Sequence, residues 1–248
     1  MIELYHWEPN AESLKLLITL KEKGVAFQSR YVDLLNLEHH ADVFKKVADA
    51  TRVPLMIQDG DAYTDSQLTL EYLAEAFEPR LAPADPTGWY DVQAWTAQLD
   101  QALAANVRLL GWHTVTLPGM SEAQRKDFLD RSAKLPKPAV MAGWAQVTDD
   151  AEASEDQLAN ARERIGLGVD KIEAALADAD WLVGGAYSVV DINAFALAHT
   201  LPRLMPEAVN AARTPRLLAW LKRVGDRPAV RDALAMARLG QDAYAPMN

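Results

Sequence analysis

Asp65 and Ser66 stand side by side just ahead of an apolar-periodic run, where a helix should begin. Two readings fit them. Either residue can cap the helix by accepting from its first free backbone N–H groups. Alternatively the helix mouth is an anion site: the free N–H groups and the positive dipole end hold a carboxylate, with the Ser66 hydroxyl as an extra donor. Asp65 would then pair with an ammonium. A carboxylate and an ammonium on one carbon describe the head of an amino acid or a γ-glutamyl peptide. Upstream, Val53-Pro54 opens a short apolar run. A proline at the first position of a strand removes no donor that the ladder needs. It is either an ordinary trans proline or a cis one, with the Val53 N–H and C=O aimed outward to pair with an extended peptide as with another strand. The chain has no cysteine. That excludes disulfides, a cysteine nucleophile, thiolate metal sites and iron–sulfur clusters. Any thiol chemistry here uses a thiol supplied by a ligand.

These residues must be positioned by the elements around them. Residues 2–6 alternate apolar and polar types and predict a strand. Residues 13–23 are rich in Leu and Lys and stop at Gly24, which predicts a helix with a C-terminal glycine. A second strand is expected over 27–32, a short helix over 42–47, and a hairpin of 55–57 with 62–64 around Asp59-Gly60-Asp61. A helix over 68–77 follows from Leu68, Tyr72, Leu73, Ala76 and Phe77. The order is β-α-β-α-β-β-α. Its first half suits a parallel crossover and its second a hairpin closed by a helix. Pro79, Pro83 and Pro86 then mark a linker. Helices are expected over 88–113, 122–135, 157–179, 188–201, 215–225 and 229–239. The architecture is an α+β two-domain one: a small α/β domain over residues 1–78, a linker over 79–87, and an all-α domain over 88–248.

Half of the 248 residues are hydrophobic, enough for a sizeable core without metals or crosslinks. The net charge of −10 comes with no Lys/Arg cluster, which argues against nucleic-acid binding by counterion release. The N-terminus has no basic segment followed by an apolar core, and no apolar run reaches the length of a membrane span. A cytoplasmic protein that binds neither membrane nor nucleic acid is expected.

Val53-Pro54, a hairpin, and Asp65-Ser66 before a helix together resemble the thioredoxin-like domain of the glutathione S-transferase superfamily. A second match is the S-x-x-D box Ser188 to Asp191 behind Trp181-Leu182-Val183-Gly184-Gly185, which resembles the capping box of that superfamily's helical domain. The segments NAESLK, EHHADVFKK, GWH, DWLV and RPAV narrow the likeness to the LigF-like bacterial β-etherases of lignin breakdown, over nearly the whole chain. The resemblance implies glutathione as co-substrate, no metal, and a thioredoxin-like N-terminal domain followed by the helical one. It assigns the cysteinyl part of glutathione to the Val53 backbone beside a cis Pro54, and the γ-glutamyl end to Asp65 and Ser66. The glycine carboxylate falls to Arg52 or His40. Two departures stand out. The run before Val53 lacks the family's proline and glycine, and Glu12 replaces an asparagine near the thiol. A carboxylate there would oppose thiolate formation, so Glu12 is expected to face away.

The implied reaction is attack of the thiolate on the carbon bearing an aryloxy group beside a ketone, with a phenolate leaving. The N-terminus of the first helix would favour thiolate over thiol, with Ser13 or Asn10 donating a hydrogen bond to sulfur. Trp7, Trp112, His113, Met141 and Trp144 are the candidates to hold two aromatic rings. A homodimer, or a heterodimer with a related subunit, is implied as well. A general transferase acting on other electrophiles and a non-catalytic binding subunit are the alternatives.

Overall fold

The computed structural model describes residues 1–41, 52–83, 85–135 and 153–239. The helix expected over 42–47 lies outside them. Strand β1 (Ile2–His6) leads into helix α1 (Ala11–Glu22), β2 (Phe27–Tyr31), a 3₁₀ turn at Glu38–His40, β3 (Leu55–Gln58), β4 (Asp61–Tyr63) and α2 (Ser66–Ala76). The four strands form one mixed sheet in the order β2-β1-β3-β4. β1 runs parallel to β2, as a helical crossover requires, and antiparallel to β3, with Leu4 opposite Met56. The β3–β4 turn has positive φ at both Asp59 (53°) and Gly60 (101°). That is the backbone of the tight hairpin turn whose twist matches its strands, and Asp-Gly is a preferred pair for it.

Alternation places Ile2, Leu4 and His6 of β1 on the buried face. α1 lies across that face, with Leu14, Leu17, Ile18 and Leu20 fully buried. Burial of each such side chain contributes about 1.5–3 kcal/mol relative to leaving it exposed. Lys23 follows α1 and closes the end of α2. Its Nζ donates to the carbonyls of Ala74 at 2.7 Å, Pro79 at 2.6 Å and Phe77.

Helices make up the rest of the described chain. α3 (Pro86–Leu99) starts with proline at its first position, and Asp85 caps it by accepting from Gly88 N–H. The helix therefore begins two residues before the expected 88. It also does not stop at 113. It continues through π-helical turns at Asp100–Ala104 into α4 (Ala105–Gly111), then through a second π-helical stretch at Trp112–Thr116 to Gly119. α5 (Glu122–Ser132), α6 (Glu155–Ala175), α7 (Val189–Ala198), the single turn α8 (Leu201–Leu204), α9 (Pro215–Gly225) and α10 (Pro228–Leu234) complete the order. Every residue of α7 is buried. It packs against α1, α3 and α9 and so joins the sheet-bearing part of the chain to the helical part. A bidentate Arg227–Glu22 pair, at 2.6 and 2.9 Å, adds a polar tie between α10 and α1.

The expected S-x-x-D box caps α7. The Ser188 Oγ accepts from Val190 N–H while Asp191 Oδ2 accepts from both the backbone N–H and the hydroxyl of Ser188. Asp191 Oδ1 reaches further, accepting from Leu182 N–H at 3.2 Å and Trp220 Nε1–H at 3.0 Å. One carboxylate thus holds the helix start, the WLVGG loop and α9 together.

Candidate active site

The N-terminus of α1 opens onto a cavity of about 170 Å³. Trp7, Asn10, Ala11 and Glu12 form one wall. Val107, Arg108, Gly111, Trp112 and Thr116, from α4 and the π-helical stretch, form the second. The third is Ala196, His199, Thr200, Arg203 and Leu204, at i, i+3, i+4, i+7 and i+8 from the end of α7 through α8. The wide turn at Trp112–Thr116 turns the GWH segment so that the Trp112 ring stacks on Trp7 at 6.4 Å and on Phe128 at 5.9 Å. Single π-helical turns inside helices recur at functional sites, and this one lies in the cavity wall.

Asn10 caps α1 in an extended conformation, its Oδ1 accepting from Ser13 N–H at 3.2 Å. Asn10 lines the cavity, and with its oxygen committed to the cap its NH₂ remains as a donor. The first backbone N–H groups of the helix lie beside it. Both features suit an anion. Ser13 is placed differently. It is fully buried, it does not line the cavity, and its Oγ accepts from Trp7 N–H at 3.4 Å. The geometry does not bring its hydroxyl to the cavity surface, because the first turn of α1 directs that side chain back under the end of β1.

Glu12 does not face away. It lines the cavity, and its Oε2 accepts from the Ser66 hydroxyl and pairs with Lys15 Nζ at 2.9 Å. Lys15 is almost wholly buried and needs a counter-charge one turn away on its own helix. Burial pushes the Glu12 carboxyl up, but the Lys15 ammonium and the Ser66 hydroxyl outweigh it and hold it below the usual carboxylate range. The carboxylate that seemed to oppose a thiolate is neutralised by Lys15 rather than removed.

At the mouth of α2, Asp65 is exposed and caps the helix, accepting from the N–H groups of Gln67 and Leu68, each at 2.9 Å. Ser66 is half-buried beside it. The Val53-Pro54 peptide is cis, and Val53 lies just ahead of Leu55, where the pairing of β3 with β1 begins. Arg52 is exposed, whereas His40 is buried in the 3₁₀ turn with its ring 4.1 Å from that of His39. His113 is half-buried and is not part of the cavity wall, while Trp7 and Trp112 are. Met141 and Trp144 lie outside the described residues. The sequence reading missed Arg108, His199 and Arg203. The last two carried a signal, since they continue the helical spacing of 196–204.

His199 is buried, and its Nδ1 lies 3.2 Å from the carbonyls of both Phe195 and Ala196. Burial pushes its pKa down to about 4, against the raising effect of those carbonyls. A histidine with a depressed folded-state pKa stabilises the fold above its unfolded value of about 6.5 and loses that contribution as pH falls toward the folded value. We expect His199 to account for about 2 kcal/mol of lost stability between pH 7 and pH 5. Urea unfolding of wild type and His199→Phe at both pH values tests this, because the other titrations, His39 included, cancel in the difference. Equal pH losses in the two proteins would refute it.

A mixed four-stranded sheet with helices, followed by a helical region, is the fold of the glutathione transferases. The chain belongs to the glutathione S-transferase family. Residues 12–76 match "Glutathione S-transferase, N-terminal domain" and residues 135–228 match "Glutathione S-transferase, C-terminal domain". The chain is similar to Protein LigF of Sphingobium sp. strain SYK-6, with 32% identity over 93% of this chain and 92% of LigF. The crystal structure of beta-etherase LigF from that strain superposes with a TM-score of 0.81 over 95% of this chain and 99% of that one. Glutathione S-transferase theta-1 of Mus musculus is 28% identical over 90% of this chain and 82% of its own length. Glutathione transferase F7 of Populus trichocarpa, 19% identical, shares the fold, with a TM-score of 0.71 over 95% of this chain and 98% of that one. Among the described residues no group of acidic or histidine side chains is arranged to hold a metal, and no helix is long and apolar enough to cross a membrane.

Proposed function

We propose that this enzyme uses the thiol of glutathione to cleave β-aryl ether bonds in lignin-derived aromatic ketones. The observation that carries the reading is the capped N-terminus of α1 opening onto a cavity walled by the stacked Trp7–Trp112 pair. The similarity to LigF over most of both chains supports it. Asn10 and the first N–H groups of α1 stabilise the thiolate. Its sulfur forms a bond to the carbon bearing the aryloxy group, the carbon–oxygen bond breaks, and the electron pair leaves on the phenolate, which takes a proton from water. The product is a glutathione thioether of the ketone. The indole faces of Trp7 and Trp112 hold the rings, and Met141 and Trp144 are the further substrate residues of this reading, whereas His113 stands outside the cavity wall. In this reading Asp65 takes the ammonium of the γ-glutamyl end and Ser66 its carboxylate. The Val53 backbone, next to Pro54, pairs with the cysteinyl unit, and Arg52 or His40 takes the glycine carboxylate. The same reading places the protein in the cytoplasm as a homodimer.

Incubation with glutathione and a fluorogenic β-aryl ether ketone tests this. Release of the phenol with the matching thioether is expected. No release, while calorimetry shows glutathione bound, would overturn the substrate assignment. The similarity to theta-1 favours one second reading, a transferase with a different electrophile, and faster turnover of chlorodinitrobenzene than of the ether would support it.

Ser66 gives a narrower expectation. Its hydroxyl donates to Glu12, so the γ-glutamyl carboxylate competes with Glu12 for one donor. Ser66→Ala is expected to raise KM for glutathione about 5- to 30-fold, the effect of about 1–2 kcal/mol from one hydrogen bond to charge. An unchanged KM would remove Ser66 from the binding site.

A further inference from the structure

His199 sits at the end of α7 with its ring stacked on Phe195, the centroids 5.3 Å apart. Its Nδ1 faces two backbone carbonyls, which only accept, so Nδ1 must carry the proton. In a neutral ring that leaves Nε2 as a bare lone pair, on the ring edge turned away from the helix backbone. The ring is neutral at working pH, because burial holds its pKa down at about 4. Among the described residues Nε2 has no hydrogen-bond partner, although it is buried. The ring belongs to the wall of the cavity beside the N-terminus of α1. A buried acceptor without a donor is costly to the fold and rare, and its retention calls for an explanation.

The same wall carries the complementary defect. Trp7 Nε1 is a buried donor with no partner among the described residues, and Trp7 also lines the cavity. One unfilled donor and one unfilled acceptor in the same cavity match a ligand that brings one of each. A ketone oxygen accepts and cannot satisfy Nε2, and neither can an ether oxygen. Nε2 requires a donor, and on an aryl ketone that bears oxygen substituents only, that donor is an O–H.

We propose that His199 is a specificity-determining residue whose Nε2 accepts a hydrogen bond from a hydroxyl group of the electrophile, selecting hydroxylated aryl ketones over their O-methylated counterparts. Trp7 Nε1–H supplies the matching donor to an oxygen of the same molecule. The inference deepens the etherase reading and rests on it for the chemical class of the ligand. It differs from that reading in what it requires, since recognition of a hydroxyl is a matter of binding and needs no bond cleavage.

The test uses the full chain saturated with glutathione and two pairs of uncleavable aryl ketones, with carbon in place of the ether oxygen. One pair carries a ring hydroxyl or its methyl ether. The other carries a side-chain alcohol or its methyl ether. In at least one pair, calorimetry should show the hydroxyl compound binding about tenfold more tightly. His199→Phe should abolish that preference by weakening only the hydroxyl compound, and His199→Gln, which offers an amide oxygen, should restore part of it. Wild type that binds both members of both pairs within about twofold would overturn the proposal, because a hydrogen bond to a buried acceptor is worth more than that. So would a His199→Phe protein that keeps the preference. If neither variant folds, the ¹⁵N resonance of Nε2 in the wild-type protein decides the matter. It should move on binding the hydroxyl compound and stay in place with the methyl ether, and a resonance that ignores both ends the case. Preference without phenol release from a true β-aryl ether would keep this inference and lose the etherase reading. Phenol release without preference would do the reverse.

Discussion

An Asp191→Ala protein is expected to be about 3–5 kcal/mol less stable than wild type, the range for breaking a buried, hydrogen-bonded charge site. Four donors converge on that carboxylate: Leu182 N–H, Trp220 Nε1–H, and the N–H and hydroxyl of Ser188. Truncation strands all of them in the buried seam between α7, α9 and the loop before α7. Asp191→Asn should cost less, since an amide oxygen can still serve Leu182 and Trp220, but its NH₂ would face the Ser188 N–H. Urea unfolding is the measurement, with the midpoint falling and the slope unchanged if the native structure is only weakened. A loss below about 1 kcal/mol would mean that the box is an ordinary surface-type cap. Burial pushes the Asp191 carboxyl up to about 6 even with its donors in place. The linkage therefore has the opposite sign to that of His199. Its proton-linked stabilisation is fully present below the unfolded carboxylate value and is lost as pH rises through about 6.

Asn10→Ala should lower kcat by about 100- to 1,000-fold, the usual effect of removing one preorganised donor from a developing or resting anion in a water-poor site. The side chain has two tasks, and they separate. Its oxygen caps α1, which is worth about 1 kcal/mol of stability. In the proposed reaction its NH₂ is the donor for sulfur. Asn10→Asp keeps a good cap and replaces that donor with a second negative charge, so it should remain folded and lose at least as much activity. Ser13→Ala should show the reverse pattern: about 1 kcal/mol of stability lost with the Trp7 N–H contact, and a rate within about tenfold of wild type. Thiolate absorbance of bound glutathione, followed against pH, reads the effect directly. An Asn10→Ala enzyme with an unshifted thiolate titration and full rate would hand the role to the backbone N–H groups alone.

Much of the fold is legible in the residues because each element carries a local signal. The Asp59-Gly60 turn, the Gly24 stop, the Ser188–Asp191 box and the period of the strands are written within a few positions. The continuity of the helix from Pro86 to Gly119 is not, because π-helical turns are set by packing between helices and leave no mark of their own. The site divides the same way. Asn10, Trp7 and Trp112, named from their places at element ends and in the GWH segment, line the cavity. Ser13 was expected at the sulfur because its residue type suits the role, yet the first turn of α1 directs it inward. His199, just past the end of α7, went unseen because α7 reads as uniformly buried, and only its spacing with Arg203 marks the cavity face. Glu12 was judged by its charge alone, and the buried Lys15 that neutralises it stands three residues further on.

The π-helical stretch at Trp112–Thr116 carries one more implication. Each residue of an α-helix turns the chain by about 100°. A π-helical turn spends five residues on about the arc that four cover in an α-helix, so deleting a single residue here would restore ordinary pitch and leave everything downstream on the same face. Only the side chains inside the stretch would be redistributed, Val115 and Thr116 of the wall among them. Sequence length at this point therefore works as a dial on what the enzyme admits. Relatives that differ by one amino acid here should differ in substrate choice long before they differ in shape.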